Sequence, residues 1–202
     1  MRRPRIGLFG GTFDPPHIGH LILASEAVQQ LELSRLLWAL TPQPPHKEPA
    51  AITPVEHRLA MVKLALADNT AFELSTLELD RPGPHYTIET VERLKTAAPD
   101  SSIALLLGGD AVNDLPEWHR PRDLVAACDL IGAMLRPGVT IDIERLERGL
   151  PGVAGKIQIL DVPLIDIASS EVRRRIRERL PFRYFLSTAV FKYIHEHRLY
   201  AP

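Results

Sequence analysis

The sequence has a single cysteine among its 202 residues, and this residue, Cys128, lies inside the apolar stretch LVAACDLIGAML. One thiol cannot close a disulfide within the chain, and no metal-ligand spacing surrounds it. These absences exclude a disulfide-stapled scaffold and a cysteine-based zinc site. We interpret Cys128 as a buried structural residue.

Long hydrophobic runs and an excess of charge are also lacking. The first residues, MRRPRIGLFGG, contain only a short apolar run, too short for a signal peptide or a membrane-spanning helix. The 24 basic and 25 acidic side chains give a net charge of −1, whereas binders of nucleic acid or membrane surfaces usually carry a basic excess. The sequence therefore predicts a cytoplasmic protein with no nucleic-acid and no membrane partner, in which any anion site is local.

Two familiar phosphate-binding patterns are absent as well. The chain contains neither G-x-G-x-x-G nor G-x-x-x-x-G-K-[ST]. This disfavours a dinucleotide-binding oxidoreductase and a phosphate-loop NTPase.

What the sequence does contain is an alternation of short apolar runs with helical patterns. Strands are predicted at 5–9, 35–40, 72–79, 102–110, 129–135 and 156–162. Helices are predicted at 18–31, 54–68, 87–98, 122–128, 169–180 and 188–199, with Pro54 in a first turn and Thr87 as a cap. This pattern predicts an α/β fold in one domain, 1–202: a Rossmann-like, doubly wound parallel sheet with helices on both faces and a short C-terminal helical part, 165–202. Ligands bind such sheets at the carboxyl ends of the strands.

The first strand runs into the segment GGTFDPPHIGH, where Gly10 and Gly11 precede His17 and His20. Glycines let a ligand approach the main chain, and a helix start is a natural seat for an anion. Once the helix begins, the two histidines share a face, where their rings can donate to phosphate oxygens. The alternatives are a purely structural helix start and a zinc site, although no third ligand lies nearby in the sequence.

GGTFDPPHIGH resembles the first signature of the nucleotidyltransferase superfamily with the H-x-G-H motif, and IASSEVR at 167–173 resembles the second. Within that superfamily, the chain is similar to the bacterial nicotinate-nucleotide adenylyltransferase family. The matching segments occur in order along nearly the whole chain: GGTFDPPH, PPHK, GPHYT, GGD, LPEWH, RPG and the ending YIHEHRLY. The resemblance implies transfer of an adenylyl group from ATP to nicotinate mononucleotide, which gives deamido-NAD and pyrophosphate.

The resemblance also implies catalytic roles for His17, His20 and Arg173. Both histidines would contact the ATP phosphates, with His20 at the α- or β-phosphate in the transition state. Ser169 and Ser170 would hold the β- and γ-phosphates, and Arg173 would neutralise the leaving pyrophosphate. Mg²⁺ would bridge phosphate oxygens, mostly through water. The remaining ATP-binding residues would be Gly10, Gly11, Thr12, Phe13, Gly108, Asp110 and Arg136, with Asp110 near a ribose hydroxyl or the Mg²⁺ shell and Arg136 beside adenine.

On the mononucleotide side, the resemblance implies five binding residues. Lys47 would lie near the phosphate, and Trp118 would stack on the pyridine ring. Amides around Tyr86 and Thr87 would bind the pyridine carboxylate, and His119, which stands where a tyrosine is usual, would contribute through its main chain. Taken alone, Lys47 could be a solvated loop residue and Trp118 a core residue.

Some features depart from the family pattern or leave alternatives open. Ala168 stands where a serine is usual and Ser170 where a threonine is usual, so we expect one phosphate-donating hydroxyl fewer. The other arginines of the late helix are expected on a solvated face, partly paired with glutamates: Arg174, Arg175, Arg177 and Arg179.

Two rival functions and the oligomeric state also stay open. A sister transferase for nicotinamide mononucleotide or phosphopantetheine is one rival, and a non-catalytic nucleotide-binding module is the other. The closing helix carries Val190, Tyr193, Ile194 and His197 at helical spacing, which fits a core face or a homo-oligomer interface equally well.

Overall fold

The computed structural model describes residues 3–43, 52–135, 137–163 and 165–201. Within these ranges the strands are β1 Arg5–Gly11, β2 Arg35–Leu40, β3 Phe72–Ser75, β4 Ser102–Gly108, β5 Leu130–Met134 and β6 Ile157–Leu160. The helices are α1 Ile18–Gln30, α2 Val55–Leu66, α3 Thr87–Ala97, α4 Gly109–Asn113, α5 Pro121–Ala127, α6 Ile143–Gly149, α7 Ser169–Arg177 and α8 Thr188–Glu196. None of the helices described here is long and apolar enough to cross a membrane.

The six strands form one parallel sheet in the order β3-β2-β1-β4-β5-β6. The chain winds outward from β1 in one direction and then from β4 in the other. The carboxyl ends of β1 and β4 therefore lie side by side where the winding direction changes, which is where doubly wound sheets bind their ligands. The Rossmann-like α/β fold predicted from the sequence is confirmed.

Alternation along the strands builds one apolar core on each face of the sheet. In β1, Ile6 and Leu8 belong to the core shared with α3 and α5, and Phe9 belongs to the core shared with α1 and α2. Cys128 is buried in the first of these cores, as predicted. Burial raises the pKa of its thiol to about 12, so it is neutral and structural.

The predicted strand at 72–79 is wrong in its second half. β3 ends at Ser75, and the amides of Leu79 and Asp80 both donate to the carbonyl of Thr76 in a turn. The apolar alternation that suggested a strand has another cause. Leu77 packs against one core and Leu79 against the other, because the turn lies at the edge of the sheet.

Several predicted element boundaries and caps also need correction. The strand predicted at 102–110 ends at Gly108, where the chain turns directly into α4, and neither α4 nor α6 was predicted. Both are short helices, for which hydrophobic periodicity is a weak signal. Pro54 and Tyr86 are the N-cap residues of α2 and α3, so Thr87 is the first residue of α3 and not its cap.

The closing helix α8 packs on α2 and α7 in a third, smaller apolar cluster. Val190 and Ile194 are buried there, which supports the core interpretation of that face. Tyr193 borders the cluster, and its hydroxyl lies 2.9 Å from Nδ1 of His57 in α2. His197 is exposed and packs beside the ring of Tyr193.

Candidate active site

Two cavities open at the carboxyl edge of the sheet, and both are lined by Gly10 at the end of β1. The larger, of about 670 Å³, lies over β1, β2 and the start of α3. The smaller, of about 230 Å³, lies beside the start of α1 and the end of β4. A Cβ built on Gly10 meets no atom within 4 Å. The two cavities therefore share one lining residue, a glycine, and the space beside its Cα is open.

The two histidines of the first loop line the smaller cavity, at the start of α1. Their rings stack with centroids 3.6 Å apart. The amide of His17, the N-cap residue, donates to Nδ1 of His20 at 3.1 Å. Since Nδ1 accepts this bond, the neutral ring of His20 carries its proton on Nε2, the nitrogen that a phosphate oxygen would need as a donor.

Phe13 turns the chain between the glycines and the histidines. Its backbone is in the left-handed region, with φ of 48°, and its ring is buried against Phe9 and Trp38. A side chain held there by core packing fixes the path of the loop. Phe13 was expected to bind ATP. Because its ring is buried, it can do so only through its main chain.

The second signature, at the start of α7, lies directly against the first loop. The hydroxyl of Ser169 donates to the carbonyl of Pro15 at 2.8 Å, and Nη1 of Arg173 donates to the carbonyl of Asp14 at 2.6 Å. The side chain of Ile167 also lies near Gly19 and lines the smaller cavity. The segment that leads into α7 and the start of α1 thus line one cavity, through Ile167 and His17.

Part of the arginine cluster on α7 is paired as expected. Arg174 contacts Glu171 and Glu178, and Arg175 contacts Glu171. These contacts lower the pKa of Glu171 to about 2, with the Arg174 hydrogen bond as the largest cause. Arg177 is exposed.

The larger cavity has an aromatic wall. The rings of Tyr86 and His119 stack with centroids 4.0 Å apart, and Trp118 lines the cavity while also packing against the core. Thr87, the first residue of α3, lies on the same wall. All four described residues expected to bind the mononucleotide therefore line one cavity, and His119 presents its ring as well as its main chain.

Two buried titratable side chains, Glu78 and His85, also line this cavity and were not predicted. Burial raises the pKa of Glu78, although the hydroxyls of Thr41 and Thr90 and the charge of Arg81 oppose the shift. Burial and the positive charge of Arg81 lower the pKa of His85. A neutral imidazole therefore lies beside the predicted pyridine site.

A buried arginine, Arg58 in α2, supports loops that border the larger cavity. Its guanidinium donates to the carbonyls of Thr12, Thr41, Pro42 and Thr53 at 2.8–3.1 Å. It is 2% exposed, and burial lowers its pKa. The sequence contains one indication that Arg58 is buried: position 58 lies on the same helical stripe as the apolar positions 55 and 62.

The other predicted residues are placed as follows. Gly10, Gly11 and Thr12 line the larger cavity, and Gly108 lines the smaller one. Asp110 and Ser170 are exposed in the first turns of α4 and α7. Lys47 and Arg136 lie outside the described residues.

Comparisons with known proteins agree with this geometry. Residues 8–175 match the family model for cytidylyltransferase-like proteins. A protein of Thermomicrobium roseum, named as a probable nicotinate-nucleotide adenylyltransferase, is 43% identical over 97% of this chain and 91% of its own length. A protein of the same name from Thermus thermophilus is 42% identical over 97% of this chain and 99% of its own.

Among solved structures, nicotinic acid mononucleotide adenylyltransferase of Plasmodium falciparum, complexed with NaAD, has the same fold. It superposes with a TM-score of 0.81 at 20% identity, covering 98% of this chain and 97% of that one. The two bacterial relatives are 43% and 42% identical to this chain over nearly its whole length. The chain is therefore a nucleotidyltransferase and belongs to the nicotinate-nucleotide adenylyltransferase family.

Proposed function

We propose that the enzyme transfers the adenylyl group of ATP to nicotinate mononucleotide, with ATP in the smaller cavity and the mononucleotide in the larger. The observation that carries this proposal is the junction of the two cavities at Gly10. Two bound nucleotides would meet there through their phosphates, which is the geometry that joining them requires. Transfer then depends on positioning two polyanions, the main task in phosphoryl-transfer chemistry.

The transfer needs no protein base and no covalent intermediate. The phosphate of the mononucleotide is already an anion and attacks the α-phosphorus of ATP, and pyrophosphate leaves with the electron pair of the broken bond. What the protein must supply is stabilisation of charge on the phosphate oxygens. The imidazoles of His17 and His20 are suited to this role, with Nε2–H of His20 as the donor at the reacting phosphate.

Arg173, Ser169 and Ser170 are proposed to bind the β- and γ-phosphates from the start of α7. Ser169 would do so through its main-chain amide, because its hydroxyl hydrogen is donated to the carbonyl of Pro15. One nitrogen of Arg173 is engaged by the carbonyl of Asp14, which orients the planar guanidinium beside the start of α1. A fixed guanidinium is well suited to neutralising pyrophosphate as it leaves. Asp110 and Arg136 are proposed at the ribose and adenine of ATP.

The aromatic wall is proposed to bind the pyridine ring, with Trp118 stacked on it. The first amides of α3, at Thr87 and Ile88, are donors that suit a carboxylate. The amide form of the substrate would set its own NH₂ against them, and such mismatches are rejected strongly. This argument favours the acid over nicotinamide mononucleotide. Lys47 is proposed near the mononucleotide phosphate.

Mg²⁺ is proposed to enter with ATP. Among the described residues there is no group of three or more histidine, cysteine or acidic side chains that could hold a metal ion. This fits an ion held by substrate phosphates and water, with Asp110 as the exposed carboxylate nearest in sequence to Gly108. Bound there, the ion would neutralise charge on the triphosphate.

A substrate panel tests the proposal. The enzyme is assayed for pyrophosphate release with ATP, Mg²⁺ and one of three acceptors: nicotinate mononucleotide, nicotinamide mononucleotide or 4'-phosphopantetheine. We expect the highest kcat/KM for nicotinate mononucleotide. A higher value for either other acceptor would identify a sister transferase, and no release with any of them would identify a non-catalytic module.

A further inference from the structure

Asp14, in the first loop, joins three distant parts of the chain. Its Oδ1 accepts a hydrogen bond from the hydroxyl of Tyr200 at 2.7 Å, and its Oδ2 accepts from the amide of Thr53 at 3.2 Å. Its carbonyl accepts from Nη1 of Arg173 at 2.6 Å. Asp14 is 4% exposed, so these contacts replace water as its hydrogen-bonding partners.

Tyr200 reaches this site from the end of the chain. It follows α8 in the left-handed region, with φ of 64°, and packs on the apolar cluster shared by α2, α7 and α8. Burial and the charge of Asp14 both raise the pKa of its hydroxyl. The phenol therefore keeps its proton and donates a hydrogen bond to the carboxylate of Asp14.

The position of Asp14 gives this contact a consequence for the site. Asp14 lies three residues before His17 and is bonded directly to Arg173. The side chain and the carbonyl of Asp14 share one Cα, so a reorientation of the whole residue would move both the carbonyl that orients Arg173 and the chain that leads to His17. Hydrogen bonds to charged groups are strong enough to decide between two such orientations.

We propose that Tyr200 is a positioning residue: its hydroxyl fixes Asp14 and thereby sets Arg173 and His17 for binding the triphosphate. The inference rests on the roles proposed above for Arg173 and His17. It assigns to the last residues of the chain a part in substrate binding that neither signature contains.

The test compares Y200F with Y193F, using the full chain. Both variants lose one phenolic hydroxyl at the C-terminal end, but the hydroxyl of Tyr193 contacts His57, not the first loop. Binding of ATP is measured by titration calorimetry without the mononucleotide, on protein that circular dichroism shows to be folded. We expect Y200F to bind ATP about tenfold more weakly than Y193F, which corresponds to one charged hydrogen bond.

In steady-state assays, we expect Y200F to lower kcat/KM for ATP while leaving KM for the mononucleotide near the wild-type value, since His17 lines the smaller cavity and not the larger. Equal ATP affinity in the two variants would overturn the proposal, whether both bind like wild type or both bind more weakly. Wild-type protein that binds ATP but forms no dinucleotide would contradict the proposed function instead. The calorimetric comparison does not depend on turnover, so the two failures are distinguishable.

Discussion

The amide of His17 donates to Nδ1 of His20, so the first histidine of the pair sets the protonation pattern of the second. The bond occupies the position that a glutamate or glutamine takes in a capping box. It satisfies one amide at the start of α1 and leaves Nε2 of His20 as the protonated nitrogen. One contact therefore serves both the stability of the helix and the proposed chemistry.

These two functions of His20 can be separated by two amide substitutions. In H20N, the side-chain oxygen can take the place of Nδ1 and cap the helix, but nothing replaces Nε2. In H20Q, the amide nitrogen reaches the place of Nε2. We expect H20N to lower kcat by about 10²–10³ and to melt near the wild-type temperature. We expect H20Q to keep more activity.

The measurements are kcat at saturating substrates and the thermal midpoint. A loss under about threefold in H20N would remove His20 from the chemistry.

Gly10 offers a test of the junction between the cavities. Because a Cβ there meets no protein atom within 4 Å, G10A should fold with near wild-type stability. The added methyl group would lie where the two substrates are proposed to join, so we expect kcat to fall by at least about tenfold.

Gly108 provides the matched control for G10A. It is equally open but lines only the smaller cavity, so G108A should raise KM for ATP and spare KM for the mononucleotide. Full activity in G10A, measured on folded protein, would contradict the proposed path of the phosphates.

The fold and the two signature segments could be recognised in the sequence because they depend on local pattern. Apolar runs of strand length alternate with helical stripes, and His17 and His20 are close in sequence.

The sequence pattern did not predict burial that depends on residues distant in the chain. Glu78 follows β3 in an alternating apolar segment that reads as a strand, yet it is buried because the turn carries it under α3, where Thr90 donates to it.

The contacts of Asp14 could not be predicted for a related reason. Its partners Thr53, Arg173 and Tyr200 are spread over the chain, and no spacing rule connects them. Only the packing of α8 on α2 and α7 brings Tyr200 to the first loop. Motifs therefore identified candidate substrate-binding residues, while the contacts that hold these residues in place can be seen only in the folded chain.

Trp118 should act on one substrate only. In W118A the loss of stacking should raise KM for nicotinate mononucleotide by about tenfold, while W118F should recover most of the affinity. KM for ATP should change by less than about twofold, because Trp118 lines only the larger cavity. Initial rates with each substrate varied in turn measure both constants, and a rise confined to KM for ATP would contradict the assignment.

His85 should make the stability of the protein sensitive to acid. Its pKa in the folded protein lies below the usual value of about 6.5, because of burial and the nearby Arg81. As the pH falls through about 6.5, the unfolded chain takes up a proton at this position before the native protein does, so the native state loses stability.

The variant H85Q removes this contribution, and groups common to both proteins cancel in the comparison. The fall in thermal midpoint from about pH 7.5 to about pH 5.5 should therefore be smaller in H85Q than in wild type. Equal falls in the two proteins would show that His85 does not resist protonation.

Arg58 should contribute strongly to the free energy of unfolding, because its side chain connects several loops to α2. In R58M the apolar stem is kept, but the carbonyls of Thr12, Thr41, Pro42 and Thr53 lose their shared donor. A buried carbonyl left without a partner costs about 1–3 kcal/mol, so we expect the free energy of unfolding to fall by at least about 3 kcal/mol.

K63M, at an exposed position of α2, is the control and should change the free energy of unfolding by less than about 0.5 kcal/mol. Urea denaturation of both variants gives the comparison. Equal stabilities would mean that water or a rearranged loop replaces the guanidinium, and the loops beside the larger cavity would then be held by other contacts.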